Sequence, residues 1–450
     1  MLPLHNRLHD HEPFRIRYLV AFLCVVLATA QPTHSQESKK PMSDSAMLAP
    51  WSGPYGGVPP WNLVRPEEFP KAFDEAIRLA IVDVDEITAQ TEPPTFENTF
   101  LPLEKAGQTL TNLQSLYGVH SSNLNVGPMG DIESVVAPKL AAYSDRITQN
   151  EKLFQRVAAI YESNEFAKFS TAKRRLVEKR YKEFVRRGAK LSLSDKEQLS
   201  KINARLATLF TNFSQNVLAD ERKYVTWIDN ETDLAGLPPS IVSSMAANAK
   251  DRGKPEEWAV TNTRSSMDPF LTYADNRALR KQVWTTYYSR CDNGDEHDNN
   301  AIIAEILRLR TQRAKLLGYE THAHWRLEPQ MAKTPEAAMG LMEAVWHKAV
   351  ARVREEVADM QKVADAEGSK IAIAPWDYRY YAEKVRKEKY DLDFNEVRPY
   401  LQLEKLREAM MWAAGEVYGL TFKSISNVPV FHPDVRVWEV NDAAGKLVGV

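Results

Sequence analysis

Cysteine and glycine are both scarce in this sequence of 450 residues. Its two cysteines, Cys24 and Cys291, are too few for the disulfide framework that stabilises small secreted domains. Its 18 glycines are outnumbered by 25 prolines, which argues against a β-rich fold with many tight turns. The 58 basic residues nearly balance the 60 acidic ones, so neither a nucleic acid nor a cationic partner is indicated. With 44% hydrophobic residues, the composition is that of a large globular protein, which we expect to be mainly α.

The first 30 residues have the order of a cleavable export signal. Arg15 and Arg17 precede an apolar run from Tyr18 to Ala30, whose length of about 13 residues is less than the ~20 that cross a bilayer. The run ends in ATA, the small-x-small pattern that signal peptidase cleaves. We therefore predict a signal peptide at 1–30, cleaved near Ala30, and a secreted or periplasmic protein with no other membrane association. A buried core helix or a membrane anchor is the alternative.

Residues 31–60 are rich in Ser, Pro and Gly, and we interpret them as a linker or surface arm. Helical patterns dominate from there on. Apolar residues recur at four-residue steps from Phe69 to Ile81, among charged residues, which is typical of a helix with one apolar face. Residues 61–272 are accordingly predicted as an N-terminal helical region.

Capping residues predict where several helices begin and end. Thr171 is expected to cap a charged helix that ends at Gly188. Ser194, three residues before Glu197, fits the capping box of the next helix.

Two longer helical segments are predicted further along the chain. One covers residues 299–317 and is expected to bury one side, made of Ile302, Ile303, Ile306 and Leu307. The other begins at Thr334-Pro335 and ends near Gly368, because proline suits the first helical position and glycine the exit.

Strand patterns are confined to the end of the sequence. Residues 435–440 and 446–450 alternate in polarity on either side of a turn at 441–445, which predicts a small β-hairpin. The last residues, KLVGV, form an apolar strand edge of a kind that natural proteins usually protect. We therefore expect the chain to be incomplete.

The common catalytic motifs are missing. GxxxxGK[ST], GxGxxG and GxSxG do not occur. Of ten histidines, His5 and His9 alone have the i,i+4 spacing of a helical zinc site, and Asn6 stands where such a site needs glutamate. We do not expect a metal there.

The remaining candidates have simpler explanations. His322 and His324 could share a metal with Glu320 or Glu328 on an extended segment, but we interpret them as surface residues. Cys291 has no catalytic signature around it and is expected to be an ordinary buried thiol.

A resemblance to a known family covers the second part of the sequence. From Tyr273 onward the chain resembles the first part of the catalytic region of M3-family zinc metallopeptidases, most of all the peptidyl-dipeptidase Dcp group, with oligopeptidase A as a near relative. The segments that carry the resemblance are NRALRKQVWTTYYSR (276–290), GDEHDNNAIIAEILRLRTQRAKLLGYETHAHW (294–325), MAKTPEAAMGLMEAVW (331–346), PWDYRYYAEKVRKEKYDLDFNEVRPYLQLEKL (375–406), VYGLTF (417–422) and PVFHPDVRVWEVNDAAGKLVGV (429–450). They occur in the family's order, and PPTFENTFLPLEKAG (93–107) resembles the family's N-terminal part.

The resemblance implies an α-helical, clam-like architecture with a deep channel between two lobes. It also implies a Zn²⁺ ion held by the two histidines of an HExxH motif and a more distant glutamate, with the motif's glutamate as general base. The expected reaction is release of dipeptides from the C-terminus of short unstructured peptides. Residues 273–450 would then be the first, incomplete part of the catalytic region.

No catalytic residue and no metal ligand can be assigned in this chain. The family's HExxH motif follows the hairpin with which this sequence ends, so we expect the 450-residue chain itself to be inactive. We hypothesise that some of Trp376, Tyr378, Arg379 and Tyr380 face the substrate channel, since aromatic side chains combine apolar faces with polar tips. Packing of this helix into the core is the alternative.

Three functions stay open from the sequence. The first is the N-terminal portion of a secreted M3 peptidyl-dipeptidase. The second is an endo-acting oligopeptidase of the same family, and the third is a non-catalytic helical peptide-binding protein. Each would act on short peptides, and a monomer is expected.

Overall fold

The computed structural model describes residues 45–390 and 394–450. The predicted signal peptide and the first part of the predicted linker therefore lie outside the described residues. Within the described part of the chain, no helix combines the length and apolar character needed to cross a membrane.

The described chain is mainly helical, which confirms the predicted fold class. The helices are, in chain order, α1 (Phe69–Thr88), α2 (Leu101–Lys105), α3 (Gln108–Asn123), α4 (Met129–Thr148), α5 (Glu151–Tyr161), α6 (Thr171–Arg186), α7 (Leu193–Lys223), α8 (Pro239–Lys250), α9 (Arg264–Tyr273), α10 (Arg277–Tyr288), α11 (Asn300–Leu316), α12 (His322–Leu327), α13 (Pro335–Ala366), α14 (Tyr378–Tyr390), α15 (Phe394–Val397) and α16 (Leu403–Tyr418). A π-helical turn at Phe96–Phe100 leads into α2.

Two small antiparallel sheets accompany the helices. The strands are β1 (Val225–Ile228), β2 (Trp258–Thr261), β3 (Thr421–Ile425), β4 (Val437–Asn441) and β5 (Leu447–Gly449). β1 pairs with β2, and the second sheet has the order β3-β4-β5. The predicted C-terminal hairpin is confirmed by β4 and β5. The sequence patterns missed β3 and the β1–β2 pair, because their pairing depends on partners distant in sequence.

Helix starts agree with the predictions to within two residues. The cap of α6 is Ser170 and not Thr171, and the cap of α7 is Ser192 and not Ser194. In each case the capping hydroxyl accepts a hydrogen bond from the backbone N–H three residues later. Thr334 caps α13 as predicted.

Within residues 45–390 and 394–450, five clusters of buried apolar residues make up the core. α1 connects the first two, since Phe69 and Phe73 pack with α3 and α4, while Val84 and Ile87 pack with α5 and α6. The other clusters lie around the β1–β2 pair, between α7 and α11, and between α13 and α14. Met47, in the described part of the predicted linker, is also buried in the first cluster.

The buried side of α11 differs from the predicted one. Ile306 and Leu309 are buried against α7, whereas Ile303 and Leu307 are 42% and 57% exposed. The apolar residues of α11 occupy more than one side of the helix, so the position of α7 decides which of them are buried.

α13 and α16 expose many large apolar side chains. Five on the first half of α13, here called the α13 apolar residues, are 48% to 73% exposed: Met339, Leu341, Met342, Val345 and Trp346. Five on α16, here called the α16 apolar residues, are 61% to 77% exposed: Leu403, Met410, Trp412, Val417 and Tyr418. Patches of this kind mark surfaces that contact another part of a protein or a partner.

Candidate functional site

The candidate site lies where the NRALRK and PWDYRYY segments meet. Asn276 caps α10 by accepting a hydrogen bond from the Leu279 N–H at 3.1 Å. This cap fixes the start of α10, so that Arg277 and Arg280, three residues apart, lie on the same side of the helix. Asp377 immediately precedes α14, and its carboxylate accepts a hydrogen bond from the Ala374 N–H at 3.1 Å.

A buried carboxylate joins these two helix starts. Arg277 donates to both oxygens of Asp377, at 3.0 Å and 3.1 Å from Nε and at 2.7 Å from Nη2. Arg280 donates to Oδ1 of Asp377 at 3.0 Å and, through its other terminal nitrogen, to the Ala274 carbonyl at 2.8 Å. The Asp377 side chain is 0% exposed and that of Arg280 is 2% exposed.

The electrostatics of this junction favour the charged carboxylate. Burial acts to raise the pKa of Asp377, but the hydrogen bonds from Arg277, Arg280 and the Ala374 amide outweigh it and hold the pKa below its usual value. The same contact raises the pKa of Arg277. Asp377 and Arg277 therefore stay ionised at neutral pH. The hydrogen bonds from both arginines to this carboxylate fix α10 against α14.

Of the four predicted channel residues, Tyr380 is the buried one. Its hydroxyl donates to Oδ1 of Asp275 at 2.8 Å, and the Arg280 guanidinium lies 4.0 Å from its ring centroid. Lys384 approaches the same ring to 4.4 Å. Burial raises the pKa of Tyr380. These contacts place Tyr380 among the residues that hold α14 in position.

The other three predicted channel residues are half-buried and contact different neighbours. Trp376 lies edge-on to Trp284, with the ring centroids 5.8 Å apart. Arg379 pairs with Asp268 at 2.8 Å. The Tyr378 hydroxyl is 3.5 Å from a carboxylate oxygen on α13. Whether these side chains face a bound peptide stays a prediction.

Arg277, Arg280 and Asp377 were not among the site residues predicted from the sequence. Both segments that contain them carry the family resemblance, and this was the one feature of the sequence that could have pointed to these residues. Aspartate is rarely fully buried, however, and the partners lie 97 and 100 residues apart in sequence. Their contact could not be read from local patterns.

The described residues do not offer a zinc site. Within the part of the chain that the structure covers, no three His, Cys, Asp or Glu side chains come together as possible metal ligands. His324 lies 3.6 Å from Glu320, whereas the neighbouring His322 packs on the Trp325 ring with centroids 5.5 Å apart. Both histidines are half-buried rather than exposed as expected.

Cys291 is a buried free thiol, as predicted. It is 5% exposed, and burial raises its pKa to about 11. A thiol with this pKa is protonated at neutral pH and is a poor nucleophile.

Comparison with known protein families gives a match for the part of the chain that contains the candidate site. Residues 270–450, which include the Arg277–Arg280–Asp377 junction, match the sequence profile of Peptidase family M3. The match over this part of the chain confirms the resemblance to M3-family peptidases identified from the sequence.

Individual relatives extend the similarity over most of the chain. The sequence is 34% identical to the dipeptidyl carboxypeptidase of Salmonella typhimurium over 409 residues, which are 91% of this chain and 59% of that protein. It is 32% identical to the dipeptidyl carboxypeptidase of Escherichia coli over 389 residues, 86% of this chain and 57% of that protein. Identity to oligopeptidase A of Escherichia coli is 28% over 396 residues, 87% of this chain and 58% of that protein. The chain thus spans less than two thirds of the length of each of these relatives.

Proposed function

We propose that this chain is the N-terminal portion of a zinc-dependent M3 metallopeptidase, a peptidyl-dipeptidase that releases dipeptides from the C-terminus of short unstructured peptides. The observation that carries the proposal is the 34% identity to a dipeptidyl carboxypeptidase over 91% of the chain. The structure supports it at one point, because two separate segments that carry the family resemblance meet in the buried junction at Asp377.

The zinc site of such a peptidase is not provided by the residues described. They include no possible cluster of metal ligands, and we derive no reaction step from them. The proposal therefore assigns zinc binding and catalysis to a further part of the peptidase and expects the 450-residue chain alone to be inactive.

The α13 and α16 apolar residues support a larger enzyme. Burying one large apolar side chain stabilises a protein by about 1.5–3 kcal/mol, so ten such side chains in water represent a large unused contribution to folding. We propose that the further part of the peptidase covers both sets.

On the substrate side, we propose that Trp376, Tyr378 and Arg379 contact the peptide. They are half-buried and lie on one short segment. Trp376 and Tyr378 offer aromatic surface, and Arg379 offers the donors that its pairing with Asp268 leaves over. Tyr380 is a supporting residue, since its hydroxyl and ring are both occupied by protein partners.

A chimaera tests the proposed reaction. The chain is joined to the C-terminal part of the Salmonella typhimurium dipeptidyl carboxypeptidase that it does not cover, and the product is incubated with an N-terminally blocked tetrapeptide. We expect release of the C-terminal dipeptide, loss of activity with a zinc chelator and recovery with added Zn²⁺. The 450-residue chain alone is the control and should be inactive. A folded, zinc-loaded chimaera that releases no dipeptide would contradict the proposal.

The products also separate the two peptidase types. The 28% identity to oligopeptidase A favours an endo-acting enzyme as the second candidate. An endopeptidase would cleave a longer peptide blocked at both ends, whereas a peptidyl-dipeptidase needs a free C-terminus. Equal rates on blocked and free peptides would replace the first candidate with the second.

We further propose that the protein is exported and cleaved near Ala30, and that it is a monomer. The charged, apolar and small-residue order of residues 1–30 supports export. N-terminal sequencing of the protein from the periplasmic or secreted fraction tests this. A mature N-terminus at Met1, or retention in the cytosol, would be evidence against export.

A further inference from the structure

A basic cleft is lined by none of the residues of the Asp377 junction. It has a volume of about 1140 Å³ and is bounded by residues of α4, α6, α7, α11 and α12. Basic residues in its lining outnumber acidic ones eight to four. A cleft with an excess of one charge and low-dielectric walls concentrates ions of the opposite sign.

Trp325 is the centre of this cleft's basic cluster. The Arg313 guanidinium lies 4.6 Å from the indole centroid, and those of Arg186 and Arg326 lie at 5.6 Å and 5.9 Å. Arg310, one turn before Arg313 on α11, stacks over the Phe210 ring at 5.1 Å. The aromatic rings thus hold several guanidinium groups close together.

Most of these positive charges have no acidic partner. Arg186 pairs with Glu328 at 3.2 Å. Across the described residues, no carboxylate lies within 4.0 Å of Arg310, Arg313 or Arg326. The hydrogen bond that Arg313 makes goes to the side-chain oxygen of Asn203, at 3.2 Å.

Buried donors in the cluster are also unsatisfied. The Nε atoms of Arg310 and Arg313 are inaccessible to solvent and have no acceptor, and the same is true of Nδ1 of His322. Buried polar atoms in proteins are nearly always hydrogen-bonded, so three without a partner in one place are unusual. The C-terminal dipole of α11 favours cations at its end, but it does not provide an acceptor for these atoms.

The titration of the cluster agrees with an excess of positive charge. Burial, followed by the charges of Arg310 and Arg326, lowers the pKa of Arg313 to about 10. Burial and the same group of arginines lower the pKa of His322 to about 4. An anion in the cluster would counteract the contribution of the neighbouring arginines and so raise both pKa values.

We propose that Arg313 and Arg326, which lie on Trp325 in the lining of the cleft, bind a phosphate group, either as inorganic phosphate or on a small phosphorylated molecule. Arg310, one turn before Arg313, adds to the positive charge beside them. The planar guanidinium groups are the donors best suited to a tetrahedral oxyanion with several acceptor oxygens. The cleft is large enough for more than the phosphate itself. The site is separate from the Asp377 junction and does not depend on the proposed peptidase activity.

Titration of the full chain with inorganic phosphate, at constant ionic strength set with chloride, tests this proposal. We expect saturable binding by calorimetry and a rise in the pKa of His322, followed by NMR of ¹³C-labelled histidine. Arg313→Gln should weaken binding at least about tenfold, the factor for one lost charge-assisted hydrogen bond. Lys315→Gln is the matched control, because it removes one exposed positive charge from the same helix without touching the cleft.

Several results would overturn the proposal. These are no phosphate binding above that of chloride, equal binding by the Arg313→Gln and Lys315→Gln variants, or an unchanged pKa of His322 at saturation. Binding of an acidic peptide without binding of phosphate would assign the cleft to a protein partner instead. If Arg313→Gln fails to fold, the exposed Arg326→Gln replaces it with the same expectation. A sugar phosphate that binds more tightly than inorganic phosphate would identify a phosphorylated small molecule as the ligand.

Discussion

The described chain has two regions that differ in how they are packed. Residues 45–330 contain almost all of the buried apolar residues, in four of the five core clusters. In the described part of residues 335–450 the buried apolar residues are Met360, Ala364, Tyr380 and Tyr381, and α16 buries none of its side chains. The first region therefore contains most of the core of the described residues. The second has well-formed helices and strands without a core of matching size.

Contacts at the start of α14 and at the C-terminal sheet connect the second region to the first. At α14 they include the Asp377 junction with α10, the Arg379–Asp268 ion pair and the Tyr380–Asp275 hydrogen bond. At the C-terminal sheet, the ring centroids of Phe431 and Trp61 lie 5.5 Å apart, and the Tyr55 hydroxyl donates to Glu439 at 3.0 Å. Because the second region has little core of its own, its position depends strongly on these few contacts.

Among the changes that test the difference between the two regions, removing the charge of Asp377 should change the free energy of unfolding the most. Asp377→Asn leaves two arginines, one of them fully buried, without a compensating charge, and we expect unfolding to become easier by about 3–5 kcal/mol. Urea denaturation followed by circular dichroism measures the change. Asp359→Asn, which breaks exposed pairs with Lys362 and Lys389, is the control and should cost less than about 1 kcal/mol. Equal effects of the two substitutions would show that the junction does not connect the regions.

The pH dependence of the same junction follows from the lowered pKa of Asp377. The unfolded carboxyl titrates near pH 3.9, and the folded one titrates below its usual value, so the unfolded state binds the proton first as the pH falls. The stabilisation from Asp377 is therefore complete above the unfolded pKa and is lost as the pH falls through the folded one. The stability difference between the wild type and Asp377→Asn should stay constant from pH 7 to about pH 5 and shrink below it. A difference that grows on acidification would have the wrong sign.

Limited proteolysis and dye binding should show directly that the two regions differ in protease sensitivity and in exposed apolar surface. We expect the first cuts of the full chain to fall within 335–450, and a dye for exposed apolar surface to bind strongly. Trp412→Gln should reduce dye binding and self-association while changing stability by less than about 0.5 kcal/mol, since the side chain is 68% exposed. Trp284→Gln, in the packed region, should instead lower stability. Cooperative unfolding of the whole chain as a monomer, with no early cuts in the second region, would refute the contrast.

Within the packed region, His322 should make stability depend on pH between 4 and 6.5. Its pKa of about 4 is below the value near 6.5 of an unfolded histidine, so the unfolded state binds more protons in this interval. Stability should therefore fall as the pH drops from 6.5 towards 4, and His322→Gln should make this slope smaller. Identical slopes in wild type and His322→Gln would contradict the assignment.

Features set by residues close together in sequence were predicted more accurately than features set by distant residues. The start of α13 was predicted correctly because Thr334 and Pro335 act within one helical turn. The cap of α6 was misplaced by one residue because Ser170 and Thr171 are both suitable, and the backbone conformation decides between them. The buried side of α11 was only partly right, since burial of Leu309 depends on α7, about a hundred residues earlier in the chain.

The same limit applies to the candidate site. The density of aromatic residues drew attention to Trp376 and Tyr380, but it could not distinguish the buried one from the half-buried one. The role of Asp377 depends on arginines 97 and 100 residues away, and no local pattern predicts a buried aspartate. The family resemblance located the right segments, and the structure was needed to bring them together.

The smallest expected effect concerns the reactivity of Cys291. Its thiol is buried, and a pKa of about 11 leaves well under 1% as thiolate at pH 7, so alkylation should be much slower than that of an exposed cysteine. The measurement is the rate of iodoacetamide labelling in a Cys24→Ser background, with and without urea. Because Cys291 lies in the packed region, labelling should accelerate only when that region unfolds, and not at the lower urea concentration that releases residues 335–450. Fast labelling at low urea would mean that the first region unfolds together with the second. The two regions would then differ in packing but not in stability.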